Sequence, residues 1–287
     1  MLRTMSDDRV IRAMTRDGSF RVIAARTTRT VQQAVRAQGA TGVNATQLAD
    51  LMTLSVLYRE TMAPTLRVQA IVRGAEGGQM VADSDPSGWC RGLVRGRAGA
   101  PLDLTGDGAL LQMMRPMRHG EPHVGTVALP ADGRLANAAV AYFDQSEQIP
   151  TMVSLGTVVA DDDDSHVVAS GGFLVQILPE ARDLEGPMAV MTFRLEDFVD
   201  IRARLRDTDA SPETMIDEVL YGFDTEILGS DSLRFGCACS EDRLRASLYA
   251  LDADAFAELM ASDEPIESRC DYCGTVYSID PATLRRP

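Results

Sequence analysis

The chain has 287 residues, a formal net charge of −14 and no lysine, so every fixed cation is an arginine. That balance argues against a role built on phosphate contacts, which need clustered basic residues; without lysine there is also no Walker A loop, Schiff-base lysine or Ser-x-x-Lys nucleophile. The length suggests about two domains, and no apolar run approaches the roughly 18 residues of a membrane span. Acids occupy the place of a signal peptide's apolar stretch in Met1-Leu-Arg-Thr-Met-Ser-Asp-Asp, so a cytoplasmic setting with reduced thiols is expected.

Along the chain, alternation from Phe20 to Thr27 predicts a strand. Two helices are expected next, over Thr30 to Gln38 and from Asn44 through Leu48, Leu51 and Met52 to Tyr58, with Asn44 or Thr46 as N-cap and Pro64 beyond the end. Strand-like runs then pair around turn residues. Leu66 to Arg73 and Gln79 to Asp83 flank Glu76-Gly77-Gly78, Leu110 to Met117 is followed by Val124 to Leu129, and Met152 to Val159 and Gly172 to Leu178 flank the acidic tip Asp161 to Asp164. One helix, Leu135 to Gln148, interrupts the series. Hairpin-linked strands with few helices predict an α+β domain over residues 1–179 rather than alternating βαβ units.

Residues 180–235 change character. Phe193, Phe198, Ile201 and Leu205 sit at helical spacing, Ser211-Pro212-Glu213 reads as a capped helix start, and acids exceed arginines. A helical linker of this composition must lie against a neighbour to stay folded, and it is the expected metastable part. Residues 236–287 form a third region, in which Ser240-Glu241-Asp242 and Asp252 start two helices between two cysteine pairs.

Those pairs, Cys237-Ala-Cys239 and Cys270-Asp-Tyr-Cys273-Gly274, have the spacing of a Cys₄ zinc site in a module too small to fold on its apolar surface alone. Arg234, Arg243 and Arg269 are placed to offset the charge of four thiolates. Spacing leaves two readings open. The metal can be a permanent staple, or its thiolates can be a switch, since zinc-bound thiolates are nucleophilic toward peroxide and metal loss removes folding energy.

Other candidates are weaker. Cys90 is expected to be a buried small residue. His119-Gly-Glu-Pro-His123 imitates a zincin motif, but Gly120 and Pro122 break the helix that motif needs, so a hairpin turn is expected. Asp161 to Asp164 lacks the spacing of a calcium loop. Nothing proposes a catalytic centre, so no enzyme is expected.

Taken together, Phe235-Gly-Cys237-Ala-Cys239-Ser-Glu-Asp-Arg243, Cys270-Asp-Tyr-Cys273-Gly274 with Tyr277, Tyr142-Phe143-Asp-Gln-Ser146-Glu147-Gln148-Ile-Pro150-Thr151 and Gly171-Gly-Phe-Leu-Val-Gln176-Ile-Leu-Pro179 resemble the redox-regulated heat-shock protein 33 chaperones of bacteria. The resemblance spans nearly the whole chain. It implies a cytosolic, ATP-independent stress-response holdase, inactive when reduced and zinc-bound. Its zinc ligands would be Cys237, Cys239, Cys270 and Cys273, with disulfides Cys237–Cys239 and Cys270–Cys273 after oxidation. It further implies unfolded client proteins as partners and a homodimer when oxidised, with no role for nucleic acid or membrane. Ala238 and Leu244 depart from what relatives often carry. Two rival readings are a constitutive zinc-ribbon module binding protein or nucleic acid, and a thiol–disulfide oxidoreductase, which would need Cys270 and Cys273 on a strand-to-helix turn.

Overall fold

The computed structural model describes residues 8–96, 100–117, 121–178, 185–206, 210–261 and 264–284. The chain divides into two compact units, Met1–Phe235 and Gly236–Pro287.

The first unit is organised by one helix. After the hairpin β1 (Arg9–Thr15) and β2 (Phe20–Arg26) come α1 (Thr28–Gln38) and α2 (Gly42–Glu60). Every residue of α2 from Leu51 to Glu60 is buried. A helix apolar on all sides needs cover on all sides, and two sheets supply it. The charged end of α2 stays inside because Glu60 is paired with Arg59 at 2.7 Å and with Arg12 of β1. Asn44 and Thr46 do not cap this helix. It starts two residues earlier, behind Thr41. Asn44 instead braces a loop, its Nδ2 donating to the Ala100 carbonyl and its Oδ1 accepting from the Leu102 amide, both at 2.9 Å.

The strands that follow are β3 (Val68–Arg73), β4 (Gln79–Ser84), β5 (Trp89–Arg95), β6 (Leu110–Arg115) and β7 (His123–Ala128). Next come α3 (Leu135–Tyr142), β8 (Thr151–Val159) and β9 (Val167–Ile177). The expected third helix is regular only to Tyr142. It then widens into a π turn over Phe143–Glu147 and ends at Gln148 with φ 55°. That turn places the Glu147 carboxylate under two phenols: Tyr58 and Tyr142 donate to its Oε1 at 2.9 and 2.8 Å, and Arg115 donates to Oε2 at 3.3 Å. Burial of Tyr58 and the nearby carboxylate hold its hydroxyl protonated, with a pKa well above the ordinary tyrosine value.

Residues 185–235 belong to the first unit. Three helices, α4 (Glu185–Glu196), α5 (Arg202–Leu205) and α6 (Pro212–Val219), are followed by strands β10 (Thr225–Ser232) and β11 (Arg234–Phe235). The helical reading of 180–235 is therefore corrected beyond Val219. Three of the acids in this stretch pair with arginines of the first hairpin. Asp231 meets Arg12 at 2.7 Å, while Asp224 and Glu226 meet Arg16 at 3.2 and 3.7 Å, across the β1–β10 ladder. A partner strand at the opposite end of the sequence leaves no local signal. Ser211 does cap α6, accepting from the Thr214 amide with Pro212 at the first helical position.

One sheet runs β10-β1-β2-β9-β8, antiparallel throughout. The other runs β11-β5-β4-β3-β6-β7, antiparallel except where β11 joins β5 in parallel. Strand alternation gives the first sheet two buried faces. Ile23 and Ala25 of β2 pack toward α1 and α2, whereas Phe20, Val22 and Ala24 pack with Phe173, Val175, Met191, Leu195, Phe198, Ile201 and Leu205. The helices from residues 185–219 thus cover an apolar sheet face.

His119 lies outside the described residues. His123 opens β7 of the β6–β7 hairpin, with its Nε2 3.9 Å from Glu147 Oε1. Asp161 to Asp164 are exposed between β8 and β9, and Asp163 is satisfied locally by the Ser165 amide and hydroxyl. Cys90 is fully enclosed on β5, and burial pushes its thiol up to about 12.

Phe198 is 2% exposed and edge-on to Phe173 at 5.3 Å, and its carbonyl accepts from the Ser154 hydroxyl at 2.6 Å. Phe198→Ala should cost about 3–5 kcal/mol. Hydrogen exchange should quicken over residues 185–206 and remain slow in α2; equal slowing or quickening in both would contradict the layered packing.

Candidate metal centre

The second unit has little to hold it together. Its helices α7 (Glu241–Tyr249) and α8 (Ala253–Met260) are each capped by a side chain, Ser240 accepting from the Arg243 amide and Asp252 from the Ala255 amide. The hairpin β12 (Ile266–Arg269) and β13 (Val276–Ile279) follows. Among the described residues only Phe256, Ile279 and Leu284 form its buried apolar cluster, with Leu244, Leu248, Tyr249, Met260 and Ile266 half-buried against it. Not one residue of α7 is buried. A core this small leaves folding dependent on a cross-link.

The cysteines stand where a cross-link would act. Cys270 and Cys273 occupy the turn of the β12–β13 hairpin. There the Gly274 amide donates to the Cys270 carbonyl and the Cys270 amide to the Thr275 carbonyl, each at 2.9 Å. Gly274 has φ +73°, and a Cβ there would meet the Arg269 guanidinium at 3.2 Å. A side chain at this position would be strained, and Arg269 lies against the turn. Cys237 and Cys239 precede α7 in the extended segment ended by the Ser240 cap.

All four sulfurs lie within 4.8 Å of one another. Between the pairs, Cys237 and Cys270 approach to 3.6 Å and Cys239 and Cys273 to 3.4 Å. These are far longer than a disulfide bond. They are close to the edge of a tetrahedron with metal–sulfur distances of about 2.3 Å, for which sulfurs stand about 3.8 Å apart. The donor set and its geometry therefore fit a metal ion with a preference for four thiolates.

The local electrostatics favour the same conclusion. Burial pushes the Cys239 thiol up to about 12 and raises Cys270, with neighbouring thiols adding to both shifts. Burial also opposes ionisation of Cys273, yet hydrogen bonds from the Thr275 hydroxyl and amide and from the neighbouring thiols outweigh it and bring that group down to about 6. Cys239 and Cys270 thus resist the ionisation that Cys273 favours, and a cation among the sulfurs would remove that conflict.

Two hydroxyls reach the sulfurs from outside. Tyr277 Oη donates to Cys239 Sγ at 3.2 Å, and Thr275 Oγ1 lies 3.2 Å from Cys273 Sγ. The sequence does not single out Thr275; its place two residues past the last cysteine, just before the returning strand, is the signal that could have found it. Arg234, expected near the sulfurs, is engaged elsewhere: its guanidinium donates to the Ser87 carbonyl at 3.0 Å. The hairpin setting of Cys270 and Cys273 also differs from the strand-to-helix turn that a thioredoxin-like oxidoreductase requires.

Comparison with known proteins agrees with the fold. The model of the family described as Hsp33 protein matches residues 8–280. The 33 kDa chaperonin of Desulforamulus reducens is 29% identical, covering 97% of this chain and 96% of its own length. That of Clostridium botulinum is 30% identical, covering 94% of each. The crystal structure of the 33 kDa chaperonin from Thermotoga maritima superposes with a TM-score of 0.80 at 22% identity over 97% of both chains. With a family match that runs from β1 into the residues beyond β13, this chain belongs to the Hsp33 family of chaperones.

Proposed function

We propose that this protein is a redox-regulated, ATP-independent holdase of the cytoplasm that works in the stress response rather than as an enzyme. In this reading it is silent when Cys237, Cys239, Cys270 and Cys273 hold one zinc ion, and active once they are oxidised. The observation that carries the reading is the convergence of four thiols within 4.8 Å in a unit whose buried apolar cluster is three side chains. Zinc bound there supplies a tetrahedral cross-link between the segment before α7 and the β12–β13 turn, with binding energy on the order of 10 kcal/mol or more that is largely folding energy.

Oxidation by a peroxide withdraws two electrons from each cysteine pair. One sulfur–sulfur bond closes, the peroxide O–O bond breaks, and its oxygens leave as water after taking up protons. Once Cys237 is joined to Cys239 and Cys270 to Cys273, four thiolates are no longer presented and no cation is retained. This pairing follows sequence neighbours, as the family resemblance implies, although close sulfur contacts also cross between the pairs.

The organisation that serves this is a core of residues 1–179, a metastable segment 180–235 and a redox module 236–287. The segment and module are continuous through Phe235 and Gly236. Unfolding of the module removes the anchor on β11, whose ladder is only two residue pairs, Arg234↔Trp89 and Phe235↔Cys90. The helices of 185–219 carry exposed apolar residues already, among them Phe193 at 75% and Val190 at 47%. Lifting them bares the sheet face around Phe20, Val22, Phe173 and Val175. Such a surface on a chain of net charge −14 captures unfolding proteins while staying soluble. The oxidised form is proposed to be a homodimer, with neither nucleic acid nor membrane as partner.

The deciding experiment compares suppression of a heat-labile client's aggregation by reduced, zinc-loaded protein and by the same sample after peroxide, with a chromogenic chelator reporting zinc. Protection is expected only with zinc release. Equal protection in both states would favour a constitutive binding module.

Chelating zinc under reducing conditions should unfold residues 236–287 and leave α2 protected, as read by hydrogen exchange. Tyr277→Phe removes the hydroxyl that donates to Cys239 and should weaken zinc binding about 10–100-fold in a competition titration. Peptide mapping after oxidation should find Cys237–Cys239 and Cys270–Cys273; Cys237–Cys270 and Cys239–Cys273 bonds would overturn the pairing.

A further inference from the structure

A cavity of about 360 Å³ opens between α4 and the first sheet, lined by Phe20, Met152, Val175, Met188, Met191 and Leu195 among others. Three of its walls are thioethers. Met152 and Met188 are half-buried, and Met191 is 2% exposed at the cavity wall. Buried attachment of α4 rests on two side chains, Met191 and Leu195. The segment's hold on the sheet therefore depends in part on a residue that is chemically oxidisable and borders a space large enough for a peroxide molecule.

We propose that Met152, Met188 and Met191 form an oxidative modification site, and that sulfoxide formation there detaches α4 from the sheet independently of the cysteines. The step is a two-electron oxidation by hydrogen peroxide: the sulfur lone pair takes one oxygen as the O–O bond breaks, an S–O bond forms, and the other oxygen leaves as water. A flexible apolar side chain becomes a polar one.

The cavity is poorly equipped to accept that change. Its polar side chains are Thr151, Thr192 and Glu196. The Thr151 hydroxyl already donates to the Ile149 carbonyl at 2.8 Å and accepts from Gln176 at 3.1 Å. The Glu196 carboxylate offers no proton. Only the Thr192 hydroxyl is left to serve up to three sulfoxide oxygens. An acceptor without a donor in apolar surroundings is costly, and the sulfoxide is satisfied by drawing water in or swinging outward. Either parts α4 from β8 and β9.

The consequence for client capture rests on the function proposed above, since α4 covers the same sheet face; the modification itself does not. The test treats the full chain with peroxide and then restores reduced thiols and metal with dithiothreitol and zinc, a treatment that leaves methionine sulfoxide in place. Peptide mapping should find Met188, Met152 and Met191 oxidised before Met52 and Met80, which are 0% exposed. Hydrogen exchange over residues 185–206 should be faster by roughly tenfold to a hundredfold, the weight of one unsatisfied buried acceptor. Methionine sulfoxide reductases of both epimer specificities should reverse it. Met191→Leu and, separately, Met188→Leu keep the apolar volume and should blunt the response. Oxidation of Met52 or Met80 ahead of the cavity methionines, or sulfoxides in the cavity with unchanged exchange, would overturn the proposal. Because thiols are reduced and zinc restored during the readout, failure here leaves the cysteine switch standing.

Discussion

Three buried apolar side chains in the C-terminal unit, Phe256, Ile279 and Leu284, cannot offset the conformational entropy of ordering some fifty residues. Everything else about that unit follows from the shortage. Caps at Ser240 and Asp252 each contribute about a kilocalorie per mole to a helix start, too little to change the balance. The β12–β13 hairpin has no wide sheet to join. The segment before α7 meets the hairpin turn at four cysteine sulfurs that lie within 4.8 Å of one another.

The first unit has the opposite economy. Its α2 is enclosed by two sheets, and its charged end is neutralised by Arg59 and Arg12. The variable layer is the outer one, where α4 to α6 lie on a sheet face that is as apolar as the inner face. A β-sheet buried on both faces needs cover on both. That cover buries Met191, Leu195, Phe198, Ile201, Leu205 and Ile216 among others, in a cluster separate from the one around α2. Sub-global opening of such a layer draws on the low-stability end of a fold, and the exposed Val190 and Phe193 show that α4 is apolar beyond what its packing uses.

Sulfur chemistry meets this architecture at two places. In the C-terminal unit it stands at the cross-link, with Tyr277 and Thr275 on the sulfurs. In the first unit it stands in the attachment of the outer layer, with thioethers against an open cavity. Cys90, by contrast, is sealed on β5 with its thiol held protonated by burial, and it takes no part in either.

Local rules carried much of this into view from the sequence. The strand alternation from Phe20, the Ser211-Pro212 helix start, the Ser240 and Asp252 caps, the hairpins and the cysteine spacing each depend on residues within a few positions of one another. So did the family resemblance, which resided in short motifs between Tyr142 and Tyr277. Other features needed the folded chain. The acids Asp224, Glu226 and Asp231 read as part of a helical linker because their partners, Arg12 and Arg16, are at the far end of the sequence. Asn44 read as a cap because its true partners, around Ala100 and Leu102, come from a distant loop. The widening of the helix after Tyr142 reflects Glu147 meeting Tyr58 across the core. The sequence by itself determined several helix starts and hairpins and the four cysteines that converge, since caps, turns and ligand spacing are short-range. Only the tertiary structure decided which strand pairs with β1, which residues cover the sheet and which thioethers line the cavity beneath α4, because those depend on contacts that chain distance does not encode.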